Sequence, residues 1–174
     1  MSEYELIRIF RPLIIDGLTS VGIENVGVYM GYQPTKQGAT DRAVYFHAVS
    51  DILKGYPKKS DYIDNDTGKM MHEEAQLIEA TFQINTIVKF NETLSSTDLA
   101  YYVSAILQRD STIQTLASFG IGLYHIGEIR KMYFKNFNDE NEIEPSFDIV
   151  LQYERKIINE VGVISSKKII LKGV

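Results

Sequence analysis

Glu74-Ala75-Gln76-Leu77-Ile78-Glu79-Ala80-Thr81-Phe82-Gln83-Ile84-Asn85-Thr86-Ile87-Val88-Lys89-Phe90 is the stretch that decides the fold. Ile78, Ala80, Phe82, Ile84, Thr86, Val88 and Phe90 fall on one side of a period-two pattern, and Glu79, Thr81, Gln83, Asn85 and Lys89 on the other. That alternation is a strand with one dry face and one wet face, so helices are expected over the dry one. At ~3.3 Å per residue the stretch spans about 56 Å. A compact domain of this size is only roughly 40 Å across. A continuous strand therefore overhangs its own body.

Outward from it, Arg42–Ile52 is rich in β-branched and aromatic residues and reads as the partner strand of a hairpin arm over about 42–90. Leu53–Glu73, between the two, sets Lys54, Lys58, Lys59 and Lys69 against Asp61, Asp64, Asp66 and Glu73, and is expected to be a mobile tip that a neighbour must order. Upstream, Val26, Val28, Met30 and Tyr32 alternate with Gly27, Tyr29, Gly31 and Gln33 as a short strand, and Gln33–Gly38 has the composition of a surface loop. Ser2 and Glu5 have capping-box spacing before a helical stripe of Leu6, Ile7, Phe10, Ile14 and Leu18, which Pro12 is expected to kink or restart. Downstream, Ser95-Ser96-Thr97 and Asp98 cap a helix through Leu99, Tyr102, Val103, Ile106 and Leu107. Asp110-Ser111-Thr112 restarts a shorter one that stops at Gly120. Strand patterns resume over Gly122–Phe134, Ser146–Ile158 and Val163–Leu171, and Lys135–Pro145, with Asp139, Glu140, Glu142 and Glu144, reads as a solvated acidic loop. The expected class is α+β: one domain over 1–174, a mainly antiparallel twisted sheet, helices packed on one face, and a protruding hairpin arm.

Composition narrows the chemistry. The chain of 174 residues is 44% hydrophobic and 24% charged, with no run near the ~18 apolar residues of a membrane span. Its first residues, Met1-Ser2-Glu3-Tyr4-Glu5, are acidic where a secretory signal is basic. With no cysteine there is no disulfide, thiol nucleophile or cysteine zinc site. A net charge of −5 has the wrong sign for a surface that grips phosphates.

No catalytic, cofactor-binding or metal-ligating set emerges. His47, His72 and His125 stand apart in no zinc-binding spacing. Asp64-Asn65-Asp66-Thr67-Gly68 fails the calcium-loop pattern and reads as a polar turn. Gly120-Ile121-Gly122 follows a helix where a dinucleotide fingerprint follows a strand, and neither a phosphate loop nor G-x-S-x-G occurs. The aromatics, Tyr 11, Phe 8 and Trp 0, suit interfaces, although any single tyrosine, such as Tyr101, Tyr102 or Tyr153, is as readily an edge of the core.

Four blocks taken in order resemble a known family. They are Gly31–Gly38; Asp98–Ile113 with Ile106-Leu107-Gln108 inside it; Gly120-Ile121-Gly122 leading to Ile129-Arg130-Lys131-Met132-Tyr133-Phe134; and Glu144-Pro145-Ser146-Phe147-Asp148. The chain resembles the neck or tail-terminator proteins of contractile-tailed bacteriophages, with Lys131-Met132 where that family tends to Asn-Pro. The resemblance implies a homo-oligomeric ring, hexameric in that family, that halts tube growth at the head-proximal end and joins tail to neck. Its partners are tail-tube and sheath subunits and neck or connector proteins, and it implies no catalytic residues or cofactor. DNA would pass through the ring without sequence-specific binding, eased by an acidic wall. Side contacts are expected on the hairpin at Lys58, Lys59, Asp61 and Ile78, with Tyr32, Gln33, Pro34, Thr35 and Pro145, Ser146, Phe147, Asp148 as contact loops. Two alternatives stay open: a ring component elsewhere in the tail or baseplate, and a stand-alone ligand-binding or enzymatic α+β domain.

Overall fold

A computed structural model describes residues 3–31, 42–89, 93–135 and 141–162. Nine elements follow in order: α1 (Glu3–Thr19), β1 (Val26–Met30), β2 (Arg42–Ile63), β3 (Met70–Val88), α2 (Ser96–Leu107), α3 (Asp110–Ser118), β4 (Ile121–Ile126), β5 (Arg130–Lys135) and β6 (Asn141–Glu160). The six strands form one mixed sheet in the order β1-β2-β3-β6-β4, with β5 also paired to β6. Only β1 and β2 run parallel; the other pairs are antiparallel. The expected α+β class with a mainly antiparallel sheet is borne out.

The dry face is where the alternation of β3 puts it. Ile78, Ala80, Phe82, Ile84 and Thr86 are buried together with Phe46, Phe147, Ile149 and Leu151 of the flanking strands, under α1 and α2. α1 contributes Leu6, Phe10, Ile14 and Leu18, one stripe at helical spacing, with Phe10 tilted against Phe46 at 5.7 Å. Gly17 lets α2 come close: a Cβ there would collide with the Ile106 side chain. Ser95 caps α2 by the reciprocal bonds of a capping box with Asp98. Ser96 ties that cap to the end of β3, its hydroxyl accepting from Val88 N at 2.9 Å while its carbonyl accepts from Thr86 Oγ1 at 2.7 Å. Gly120, at φ +72, ends α3 as expected.

Several expectations need correction. Of the two outcomes expected at Pro12 the restart does not occur, since α1 is one helix through it; Pro12 is exposed, so the backbone carbonyl deprived of an N–H lies on the solvent side. The α3 N-cap is Arg109, whose side chain makes no capping bond, and Asp110 lies in the first turn. Gly122–Phe134 is two strands, β4 and β5. The acidic stretch before Pro145 is not a loop from end to end, because β5 reaches Lys135 and β6 begins at Asn141. Leu53–Glu73 is not a long tip: β2 continues to Ile63, β3 starts at Met70, and only Asp64–Lys69 turns. Cross-strand charge pairs hold that distal ladder where apolar packing is missing, so no hydrophobic alternation announces it. Ser2, Gln33–Gly38, Phe90 and Val163–Leu171 lie outside the described residues.

Candidate functional site: a three-stranded arm

The overhanging element is not a two-stranded hairpin. β6 pairs with β3 from Asn85↔Ser146 to Met71↔Glu160, so the arm is β2-β3-β6 with β3 in the middle. The 19 residues of β3 span about 60 Å. Helical cover ends near Ile78 and Tyr153; beyond them β2 and β6 are exposed.

Past that point the core-side face changes character. Ile78 is followed toward the tip by Gln76, Glu74 and His72, each one pleat further out. His72 Nδ1 lies 2.6 Å from Asp61 Oδ1 and its Nε2 3.3 Å from Glu74 Oε1, while Lys59 Nζ closes on Glu74 at 2.9 Å. The hydrogen bond to Asp61, reinforced by Glu74, raises the His72 pKa above its ordinary value; bonding to Lys59 and then His72 lowers that of Glu74. On the opposite face Lys54 pairs with Glu79 at 3.0 Å and Lys156 with Glu73 at 2.9 Å. The turn is held by Thr67 Oγ1 donating to Asp64 at 2.5 Å and by Gly68 at φ +68. The calcium-like stretch is thus a hairpin turn, and no cluster of metal-ligating side chains occurs among the described residues.

The arm has two edges of different build. On β2, β1 covers only Arg42–Phe46, leaving His47–Ile63 without a strand neighbour among the described residues. That edge is broken by register shifts at Ala48/Ser50 and Lys54/Lys58, the second containing Gly55 at φ +68 and Pro57. Gln76 Nε2 donates to the Lys54 carbonyl at 2.7 Å and the Gly55 carbonyl at 3.3 Å, satisfying oxygens that the bulge takes out of the ladder. Bulges, proline and lysines are the features that protect an edge from strand addition. On β6, β4 covers Ile149–Tyr153, and Glu154–Glu160 is regular and has no strand neighbour on that side among the described residues. Beside that stretch a groove of about 820 Å³ is lined by the apolar Ile9, Pro12, Leu13 and Phe119 and by charged side chains of α1 and β6, Glu154 and Lys156 among them. Apolar side chains stand in solvent along the arm, with Tyr56 98%, Leu53 68% and Ile157 55% exposed.

The residues expected to make contacts are divided by the structure. Lys58, Lys59 and Asp61 lie exposed on the outer half of β2. Tyr32, Gln33, Pro34 and Thr35 lie outside the described residues. Ile78 is a correction: it is 3% exposed and belongs to the core, at the last covered pleat of β3. Pro145, Ser146 and Phe147 are another, since they are buried in β6 and not in a contact loop, and Asp148 is half-buried and bound to Arg130 at 2.8 Å. Ser146 Oγ and the facing Asn85 Oδ1 find no partner there, while Asn85 Nδ2 donates to Glu144 at 2.8 Å. Sequence reasoning missed the open edge of β6 and the charge ladder around His72. The i, i+2 spacing of His72 and Glu74 was the only local sign of the latter.

Residues 5–163 match the family model described as E217 gateway protein gp29. The chain belongs to that family. This phage family bears out the resemblance seen in the four sequence blocks. No curated protein matches the chain. Among solved structures it is similar to the sheath/tube terminator of PVC, an extracellular contractile injection system, in its extended state, with a TM-score of 0.47 and 8% identity. That match covers 97% of this chain, which spans 64% of the terminator's length.

Proposed function

We propose that the chain is a structural virion protein that closes into a ring at the head-proximal end of a phage tail, ends tube growth there and joins the tail to the neck. Membership of the gateway protein family supports the phage setting. The observation that carries the reading is the arm: three strands that outrun the helical cover, with edges that no further strand covers among the described residues and with exposed Leu53, Tyr56 and Ile157. A monomer gains nothing from such an extension, whereas a ring subunit needs a surface that reaches its neighbour. In this reading the whole chain is one unit, six copies close the ring, and Lys58, Lys59 and Asp61 lie in the side contact with the Tyr32–Thr35 segment. Tube and sheath subunits meet one face and neck proteins the other. DNA passes the centre without sequence readout, no reaction is catalysed, and assembly takes place in the host cytoplasm. Mass in solution coupled to negative-stain imaging tests it. A closed ring is expected, and a monomer at every accessible concentration would overturn the proposal.

A further inference from the structure

We infer that the open edge of β6, Glu154–Glu160, accepts as an added antiparallel strand the Val163–Leu171 segment of a neighbouring copy. The inference rests on the ring reading and deepens it.

The edge is built for addition. Val161 N donates to Met70 O at 3.0 Å, which makes Met70 and Val161 a hydrogen-bonded pair; in an antiparallel ladder every second pair is then of that kind. The N–H and C=O groups of Asn159, Ile157 and Arg155 therefore point to β3, and those of Glu160, Ile158, Lys156 and Glu154 point outward. The parity is checked at the other end of the strand, where the Asp148 carbonyl accepts from Gly127 N, on the β4 side, at 2.7 Å. Four successive outward residues on a regular strand, with no bulge, proline or glycine, form a template for another strand. The edge of β2 is the contrasting, protected one.

The occupant follows from what the chain carries next. Val163-Ile164-Ser165-Ser166-Lys167-Lys168-Ile169-Ile170-Leu171 is β-branched at both ends and follows the arm directly. Residues 163–174 hold three lysines and no acid, while the arm, residues 49–79 with 154–160, holds nine carboxylates against six Lys and Arg side chains. Laid antiparallel on the seven-residue edge, the segment runs from tip to body. Its apolar end, Ile169-Ile170-Leu171, then arrives at the groove lined by Ile9, Leu13 and Phe119. The edge of the same copy is the poorer acceptor. Val161 is still bonded to Met70 of β3, and Val161-Gly162 puts a β-branched residue where a two-residue hairpin needs positive φ. Passed from copy to copy, such a strand is a head-to-tail contact that closes on itself.

The absence of cysteine makes the test clean. Full-length Lys156→Cys and Lys168→Cys chains are mixed and treated with a short bis-maleimide. Covalent pairs of unlike chains are expected. Ile158→Pro in the acceptor removes an outward N–H but no bond to β3, and should cut their yield at least tenfold with the far-ultraviolet spectrum unchanged. As a second variant, Lys167→Glu with Lys168→Glu in a Ser166→Cys donor leaves the described fold untouched and should cut the yield severalfold against Ser166→Cys alone. Equal yields with both variants, or only intrachain closure in a chain that carries Lys156→Cys and Lys168→Cys together, overturn the inference. The mass of the parent separates the two readings. A ring without cross-links sinks the strand donation and leaves the ring; cross-links in a parent that never closes do the opposite.

Discussion

The sharpest consequence of the arm is that one substitution at two positions of one strand must cost different amounts. Ile149 is 0% exposed in the middle of the core, and Ile157, eight residues further along β6, is 55% exposed on the arm. Ile→Ala removes three carbons, worth about 2.4 kcal/mol of transfer energy when fully buried at ~0.8 kcal/mol each. At Ile149 the cavity left among Phe82, Leu151 and Phe147 adds to this, so the total should be about 3–4 kcal/mol. At Ile157 somewhat under half of the surface is covered and no cavity forms, so about 1 kcal/mol is expected. Urea unfolding followed by circular dichroism, at a dilution where the parent is monomeric, gives both numbers from midpoints at constant slope. At concentrations that support assembly the order should invert for the assembled fraction, with Ile157→Ala the more damaging per kcal/mol of fold lost. Equal destabilisation of the dilute chain by the two substitutions would refute the idea that this part of β6 stands clear of the body.

Other outcomes follow from the same geometry. The His72 pKa lies above its ordinary value of 6.5, so its bonds to Asp61 and Glu74 contribute stability that is fully present below about pH 6.5 and lost as pH rises through the folded value; histidine NMR titration and tip hydrogen exchange between pH 5.5 and 9 should show this, and His72→Gln should abolish the dependence. Gly68→Ala places a side chain at φ +68 and should cost about 1 kcal/mol, read as faster exchange confined to the turn. Lys58→Glu, on the exposed face of β2, should change the folding midpoint by less than about 0.5 kcal/mol while shifting the assembly equilibrium, whereas Ile78→Asp buries an unpaired charge and should unfold arm and body together.

What could be read from the sequence was what the core dictates. β3 was legible from Ile78 to Val88 because one face is dry and the other wet, and α1 and α2 were legible from their stripes and from Ser95. The distal halves of β2 and β6 were not, because a strand covered on neither face has no reason to alternate. Their order comes from ion pairs across strands, such as Lys59 with Glu74, whose members are far apart in the chain. Pro145 misled in another way. Beside Glu142 and Glu144 it has the look of a loop, yet it sits one residue before Ser146, where β3 pairing ends. By the parity of β6 its missing N–H would have faced β3 just past the last β3–β6 pair, Asn85↔Ser146, so the ladder as formed loses no bond and a strand tolerates it there. Ile78 was misplaced by distance along the strand alone: it is far from the end of β3 near the helices, yet still beneath them.

Whether the arm is made before or during assembly decides how much contact a ring needs. Ordering a residue costs roughly 1–2 kcal/mol. A mobile Leu53–Glu73 tip, 21 residues, would therefore demand about 20–40 kcal/mol from its neighbour. Here the cost is already met within one chain: β3 is paired on both sides up to Met71, and Lys54–Glu79, Lys59–Glu74, Lys156–Glu73 and Lys69–Glu160 tie the three strands together. A preformed arm docks as a rigid body, so a modest interface suffices. Hydrogen exchange on the dilute monomer should accordingly show protection at nearly every amide from Met71 to Leu77, the central strand, and alternating protection on β2, where half the N–H groups face the open edge. Exchange of Met71–Leu77 at the rate of an unstructured peptide, with protection gained only on assembly, would mean that the neighbour builds the arm and that the ion pairs alone do not hold it.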